Sequence, residues 1–367
     1  MNQVNAAVAA GTWTGLPQLF SWGRNNHGQL GLGNTTSYSS PKQVGALTTW
    51  LRLATSNGNI TLAIKTDGTL WSWGQNANGG LGLGNITSYS SPKQVGALTA
   101  WLNITSGYNF TLATKTDGTL WSWGQNNAGQ LGLGDTTDRS SPNQVGSLTT
   151  WLSIAGLTFH TMATKTDGTL WSWGKNDMGQ LGLSNTTYYS SPKQVGSLTT
   201  WSKIAGGNGY TIATKTDGTL WTWGKNSSGQ LGLGNLTYYS SPKQVGILTT
   251  WSKISSASNR NIVIKTDGTL WAWGRNTFGQ LGLGNTTYYS SPKQVGALTT
   301  WLDIAAGYSY AIATKTDGIL WSWGRNSFGQ LGLGNITSYS SPKQVGALTT
   351  WLTIASGMYN AITIKTS

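Results

Sequence analysis

Leu120-Trp121-Ser122-Trp123-Gly124, followed by Gly129-Gln130-Leu131-Gly132-Leu133-Gly134, is the stretch whose recurrence decides the architecture. It returns, lightly varied, through nearly the whole chain. The second Trp of each W-G pair marks the period: Trp22, Trp73, Trp123, Trp173, Trp223, Trp273 and Trp323, spaced 51 residues once and 50 thereafter. Self-similarity at a fixed period of this size is the signature of a repeat architecture and overrides any division of the chain by length. The single extra residue lies within Thr55–Ile60, where one loop is longer than its counterparts.

One unit, residues 142–191, shows what each repeat builds. Asn143–Val145 and Leu152–Ala155 read as short strands, and His160–Thr166 leads through Asp167-Gly168 into Thr169–Trp173. A D-G pair between β-prone runs is a strong hairpin signal, and a two-residue turn there asks for positive φ at both positions. The pair recurs at Asp67, Asp117, Asp217, Asp267 and Asp317. Alternation puts Thr169, Trp171 and Trp173 on one face and Leu170 and Ser172 on the other, as suits a sheet covered on both sides. Gly174 to Ser191 is too rich in Gly and Asn for a helix and reads as an ordered loop.

Four short strands per unit, stacked face to face, close radially into a propeller and leave only short edges. The termini fit such a closure. The chain stops at Lys365-Thr366-Ser367, where other units continue D-G-T-L-W-S-W-G, and it opens with Leu19-Phe20-Ser21-Trp22-Gly23. The N-terminal strand is therefore expected to complete the last blade. Residues 1–15 read as an N-terminal arm and residues 16–367 as a single propeller.

Composition narrows the chemistry. Only 9% of the 367 residues are charged, Glu is absent, and there are 51 Gly and 21 Trp. A disordered chain lacks such tryptophans, and each can bury roughly 150–250 Å². With no Cys there is no disulfide and no thiolate metal site. The N-terminus has neither a basic n-region nor an apolar stretch of useful length, so neither a secretory signal nor a membrane span is expected. Compartment is left open between a virion and the cytoplasm.

The repeated L-x-x-W-G-x-N-x-x-G-Q-L-G-x-G, the later P-x-x-V, and a G-x-x-[H]-T-x-A stretch before the hairpin resemble the RCC1 repeat family, named after the regulator of chromosome condensation. The resemblance covers residues 19–367 and implies an all-β fold, a seven-bladed β-propeller. The family includes nucleotide-exchange factors for Ran, a plant ultraviolet-B photoreceptor, bacterial β-lactamase inhibitors and uncharacterised bacterial and phage proteins, the last being closest in style. The family's His before Thr survives only at His160, and Ile60, Phe110, Tyr210, Arg260, Tyr310 and Asn360 replace it elsewhere. The photoreceptor's G-W-R-H-T motif is missing, and no unit carries the inserted wedge associated with exchange activity.

Catalysis by general acid and base needs titratable groups brought together. Two His and ten Asp are all that is available. Six Asp sit in hairpin turns, leaving Asp135, Asp138, Asp177 and Asp303. Asp135 and Asp138 are close enough in sequence to share a cation, and His27 and His160 fall in different units. G-Q-L-G-L-G lacks the Lys-Ser/Thr of a phosphate loop. The expectation is a non-enzyme with no cofactor and no metal.

Near-identical repeats are an internal control, because positions the fold fixes should recur. Three sets differ. The residue after W-G reads Arg24, Gln75, Gln125, Lys175, Lys225, Arg275 and Arg325, which predicts a basic arc over five adjacent blades. The pair before G-Q or G-G includes His27, Asn78, Met178, Phe278 and Phe328. The turn before the hairpin strand includes Tyr108, Phe110, Phe159, His160, Tyr210, Arg260, Tyr308, Tyr310, Met358 and Tyr359. Aromatics, Met and Arg are enriched at binding hot spots, so these sets are the candidate binding residues.

Net charge of +13 raises nucleic acid as a partner, yet much of it repeats around the whole ring, half-balanced by turn Asp. A protein or an anionic glycan surface fits a basic arc with aromatics at least as well. The leading expectation is a non-catalytic binding or structural module, a phage virion or bacterial surface recognition protein. The alternative is an intracellular protein-interaction propeller with a chromatin or GTPase partner. The sequence leaves the oligomeric state open.

Overall fold

The computed structural model describes residues 17–56 and 58–366, so the arm expected over residues 1–15 lies outside the described residues. Among the described residues are 28 strands, numbered in chain order, and no helix. They form seven four-stranded antiparallel sheets. Six of these are continuous: blade 1 (50–94), blade 2 (101–144), blade 3 (151–194), blade 4 (201–244), blade 5 (251–294) and blade 6 (301–344). Blade 7 combines β27 (Trp351–Ser356) and β28 (Asn360–Thr366) with β1 (Pro17–Gly23) and β2 (Tyr38–Gln43) in the order β2-β1-β28-β27. In it Phe20 pairs with Thr363 and Trp22 with Ala361. The clasp expected from the termini is therefore present, and β27 packs against β3 (Trp50–Thr55) of blade 1 to close the ring.

Blade 3 is representative. From the centre outward it runs β11 (Trp151–Gly156), β12 (His160–Lys165), β13 (Leu170–Gly174) and β14 (Tyr189–Gln194). Two sequence expectations need correcting here. The outer strand starts at Tyr189, inside the stretch read as loop, and in blade 2 it covers Arg139–Gln144 rather than Asn143–Val145. Its Pro192 removes a donor from the exposed edge, which suits an outermost position. The D-G hairpin has a three-residue loop: Gly168 N–H bonds to Lys165 O at 2.9 Å, and only Gly168 takes positive φ, at 77°. Asp167 stays in an ordinary conformation because its carboxylate accepts from the Thr169 amide at 2.9 Å and the Thr169 hydroxyl at 2.6 Å. Those bonds hold its pKa below the usual carboxylate value.

The repeated motif is the seam between blades. Trp173 is fully buried, and its indole N–H donates to Gln130 O of blade 2 at 3.0 Å, an oxygen that also accepts from Thr161 Oγ1 at 2.8 Å. A Cβ on Gly132 would lie 2.7 Å from Trp173 Nε1, so only glycine admits the indole. Leu112, Leu120, Leu131 and Val145 of blade 2 pack there against Trp151, Ala163 and Trp173 of blade 3. Burial of such indoles stabilises each seam by a few kcal/mol. The centre holds a channel of about 330 Å³ lined by aliphatic side chains, among them Leu53, Ile104, Ile204 and Ile304.

Candidate binding face

All three varied sets fall at one end of the ring, where the first strand of each blade turns into the second and the third strand leaves for the outer one. Backbone bonds fix the two loops to each other: Lys175 N–H donates to Phe159 O at 3.0 Å, and Arg24 N–H to Tyr359 O at 2.9 Å. Lys175, Lys225, Arg275, Arg325 and Arg24 thus occupy blades 3 to 7 in succession, each half-buried. Gln75 and Gln125 complete the ring in blades 1 and 2.

The varied turn splits in two. Tyr108, Phe159, Tyr308 and Tyr359 are partly exposed. Phe110, His160, Tyr210, Arg260 and Tyr310 are at most 1% exposed, which corrects their assignment as binding residues on exposed loops. Each opens the second strand of its blade with its side chain turned inward, and four of them bind the next blade. His160 Nε2 meets Thr211 Oγ1 at 3.0 Å. The Thr211 hydroxyl spends its proton on Gln180 O at 2.9 Å, so Nε2 carries the hydrogen and Nδ1, buried and unpartnered, is bare. Protonating Nδ1 would strand a charge away from water, and burial pushes the His160 pKa down to about 3. Tyr210 Oη donates to Arg260 O at 2.6 Å, and Tyr310 Oη to Asn360 O.

Arg260 makes the same reach with a guanidinium. Nη1 donates to Gly307 O at 2.9 Å and Tyr308 O at 3.3 Å, and Nη2 to Tyr310 O. Burial lowers its pKa to about 10, which still leaves it charged at neutral pH. Phe110 instead joins the apolar seam cluster between blades 2 and 3.

On the outer side, Phe278 and Phe328 are half-buried platforms for arginines of the following blade. The Arg325 guanidinium carbon lies 4.9 Å from the Phe278 ring centre, and that of Arg24 5.1 Å from Phe328. Lys175 pairs with Asp177 at 3.1 Å and lies 5.6 Å from the Phe159 ring. Lys225, Arg275, Arg325 and Arg24 have no carboxylate partner among the described residues.

Most of the remaining positive charge is structural. Lys65, Lys115, Lys165, Lys215, Lys265 and Lys315 lie 3.6 to 3.8 Å from indole ring centres beside the hairpins. Lys42, Lys93, Lys193, Lys243, Lys293 and Lys343 lie over outer-strand tyrosines. Asp135 pairs with Arg139 at 2.6 Å, while Asp138 accepts from Asn126 N–H at 2.7 Å and from Asn78 of blade 1 at 3.1 Å. These carboxylates brace loops. Among the described residues no group of three His, Cys, Asp or Glu is placed to hold a metal ion.

A fourth varied column escaped the sequence comparison. The third residue of each innermost strand reads Arg52, Asn103, Ser153, Lys203, Lys253, Asp303 and Thr353. Lys253 and Asp303 pair between blades 5 and 6 at 3.3 Å. Its signal was available two residues after each W that opens an innermost strand, but the flanking aliphatics mask the column.

Comparison with known proteins places this geometry. The sequence profile described as the Regulator of chromosome condensation (RCC1) repeat matches residues 18–64, 67–114, 117–164, 167–214, 217–264, 267–314 and 317–364. Protein RCC2 of Mus musculus is 42% identical over 80 residues, 21% of this chain and 15% of that protein. The ultraviolet-B receptor UVR8 of Arabidopsis thaliana is 37% identical over 79 residues, 21% of this chain and 18% of that protein. The matched segments thus span less than a fifth of either relative's length. Among solved structures, Prp20p from Saccharomyces cerevisiae, described with its binding to Gsp1p and histones, superposes with a TM-score of 0.85 at 20% identity, over 96% of this chain and 92% of that one. Yeast RCC1 (Prp20) bound by Kap60 gives 0.87 at 19% identity, over 96% and 90%. At these identities the likeness establishes the fold.

Proposed function

The chain belongs to the RCC1 repeat family, whose repeat profile covers almost all of it, and from that premise we propose that it is a protein-interaction propeller. It presents one cationic, aromatic face to an acidic partner surface. The observation that carries this is the run of five basic residues in successive blades on one face, four of them without a carboxylate partner among the described residues. Complementary potential of this kind speeds encounter and selects partners. The structural neighbours described with Gsp1p, histones and Kap60 support a protein ligand over a glycan. They also favour the interaction-propeller reading over a virion or cell-surface protein. Nucleic acid is less well matched, since the lysines on the hairpins and outer strands are already stacked on aromatic rings and the face is interrupted by Asp135, Asp138 and two Gln.

Changing Lys175, Lys225, Arg275 and Arg325 together to Gln tests it. Partner capture should weaken by about tenfold or more at moderate salt, and the salt dependence should flatten. The melting temperature should shift little, because surface changes usually cost no more than about 0.5 kcal/mol each. Unchanged capture by the folded variant would refute the proposal.

A further inference from the structure

The seam between blades 6 and 7 carries a more specific feature than the arc as a whole. Arg24 of blade 7 and Arg325 of blade 6 converge on one ring: their guanidinium carbons lie 5.8 and 5.3 Å from the centre of Tyr359. Each is backed on its other side by a phenylalanine, Phe328 and Phe278 respectively. Tyr359 is held in turn by Phe328 at 5.1 Å and Tyr308 at 6.0 Å between ring centres. Arg325 Nε donates to Ser327 Oγ at 2.8 Å, which fixes the plane of its fork. Neither arginine's terminal nitrogens have a hydrogen-bond acceptor among the described residues.

The chain supplies no side-chain carboxylate to them. All ten of its acidic residues are Asp, at positions 67, 117, 135, 138, 167, 177, 217, 267, 303 and 317. Those at this end of the ring are in blades 2 and 3, and Asp303 is on an innermost strand bound to Lys253. Residues 1–16 contain no acid. Two unpaired guanidiniums on an aromatic floor, that of Arg325 oriented by Ser327, form a receptor for two neighbouring carboxylates.

We propose that Arg24, Arg325 and Tyr359 form a twin-arginine site that binds a short acidic protein segment and holds the N-terminal strand β1 against blade 6. The proposal rests on the interaction reading above and names its ligand. A peptide is favoured over nucleic acid because, among the described residues, only four unpaired cations, one in each of blades 4 to 7, line this face, too few for a track that neutralises many phosphates. Because Arg24 follows the N-terminal strand β1 of blade 7 and Arg325 follows Leu320–Gly324 of blade 6, a ligand bridging the arginines ties the N-terminal strand to the preceding blade. Binding must therefore stabilise the folded ring.

Fluorescence anisotropy with a labelled oligo-aspartate peptide provides the test. Arg24→Gln with Arg325→Gln should weaken binding about tenfold or more. Lys193→Gln with Lys243→Gln, which removes the same charge from the outer strands, should leave it within about twofold. Arg24→Lys with Arg325→Lys keeps the charge but loses the planar fork, and should also bind several-fold more weakly. The peptide should raise the melting temperature of the unmodified chain and not that of the Gln pair. Equal losses in the arginine and lysine pairs, absence of peptide binding, or preferential binding of a single-stranded oligonucleotide of matched charge would each overturn the proposal. If the peptide fails while the quadruple Gln variant still loses its protein partner, the twin-arginine site falls and the interaction face stands. If that variant loses nothing, the broader reading falls whatever the peptide does.

Discussion

Two columns of residues vary between the repeats, and they vary for opposite reasons. The column of Arg24, Gln75, Gln125, Lys175, Lys225, Arg275 and Arg325 is half-exposed on one face of the ring. The column of Ile60, Phe110, His160, Tyr210, Arg260, Tyr310 and Asn360 is at most 2% exposed. Variation outside changes what the ring can hold. Variation inside offers, from Phe110 to Tyr310, different solutions to one task, bridging from the start of a second strand to the next blade. Imidazole, phenol and guanidinium succeed by hydrogen bonds across four consecutive seams, whereas Phe110 fills its seam with apolar surface. Diversity among repeats is therefore not by itself a mark of recognition.

Arg260 is where the two columns can be told apart most directly. Arg260→Ala should cost about 3–5 kcal/mol, because it opens a cavity, leaves the carbonyls of Gly307 and Tyr308 without the guanidinium donor, and leaves Tyr310 O with only the Gly307 N–H. Arg260→Tyr, copying Tyr210 and Tyr310, should recover much of that loss, and neither change should alter binding at the outer face. Denaturant midpoints read the first effect and peptide anisotropy the second. An Arg260→Ala variant that keeps its stability but loses binding would assign the residue to recognition after all.

His160 gives a smaller, pH-dependent effect. The folded ring refuses a proton that the unfolded chain accepts below the ordinary value of 6.5, so stability should fall as pH drops from 6.5 toward about 3. The slope approaches about 1.4 kcal/mol per pH unit. The turn aspartates, held below their ordinary value of 3.8, begin to lose their contributions only below that value, so the range above it reads histidine. His160→Phe, as in blade 2, should flatten the melting temperature between pH 6 and 4, a range chosen to lie inside the window. A residual slope is expected from His27, whose pKa burial and Arg24 also lower.

The smallest effect comes from a departure inside the scaffold that, unlike those seam bridges, leaves a buried donor without a partner. In blade 3 the Thr169 hydroxyl donates to Asp167 and accepts from Trp171 Nε1 at 2.9 Å. Blade 6 has Ile319 at that place, Asp317 keeps only the amide bond at 3.0 Å, and Trp321 Nε1 is buried without a partner. Ile319→Thr should stabilise the ring by about 1 kcal/mol, visible as a raised melting temperature.

Much of the molecule was legible in advance. The repeat period, the hairpin, the closing strand shared by both termini and the basic arc all follow from aligning units on W-S-W-G, because each depends on which residues recur. The outer strand was missed because its Gly- and Asn-rich approach hides Tyr189–Gln194, a strand with Pro192 at an exposed edge. The pairing of Arg24 with Arg325 over Tyr359 was out of reach, since the residues stand more than 300 positions apart at one end and 34 at the other.

By itself the sequence determined the ring, its number of blades and the positions free to vary, since a repeated pattern of Trp, Gly and alternating apolar residues admits few closed arrangements. Only the tertiary structure decided which varied residues face outward. Phe159, the last residue of the turn, and His160, the first of β12, are neighbours in the chain, yet one is partly exposed and the other fully buried. The register that sets His160 against Gly174 sends one ring toward solvent and the other into the seam, and a shift of one residue would exchange their roles.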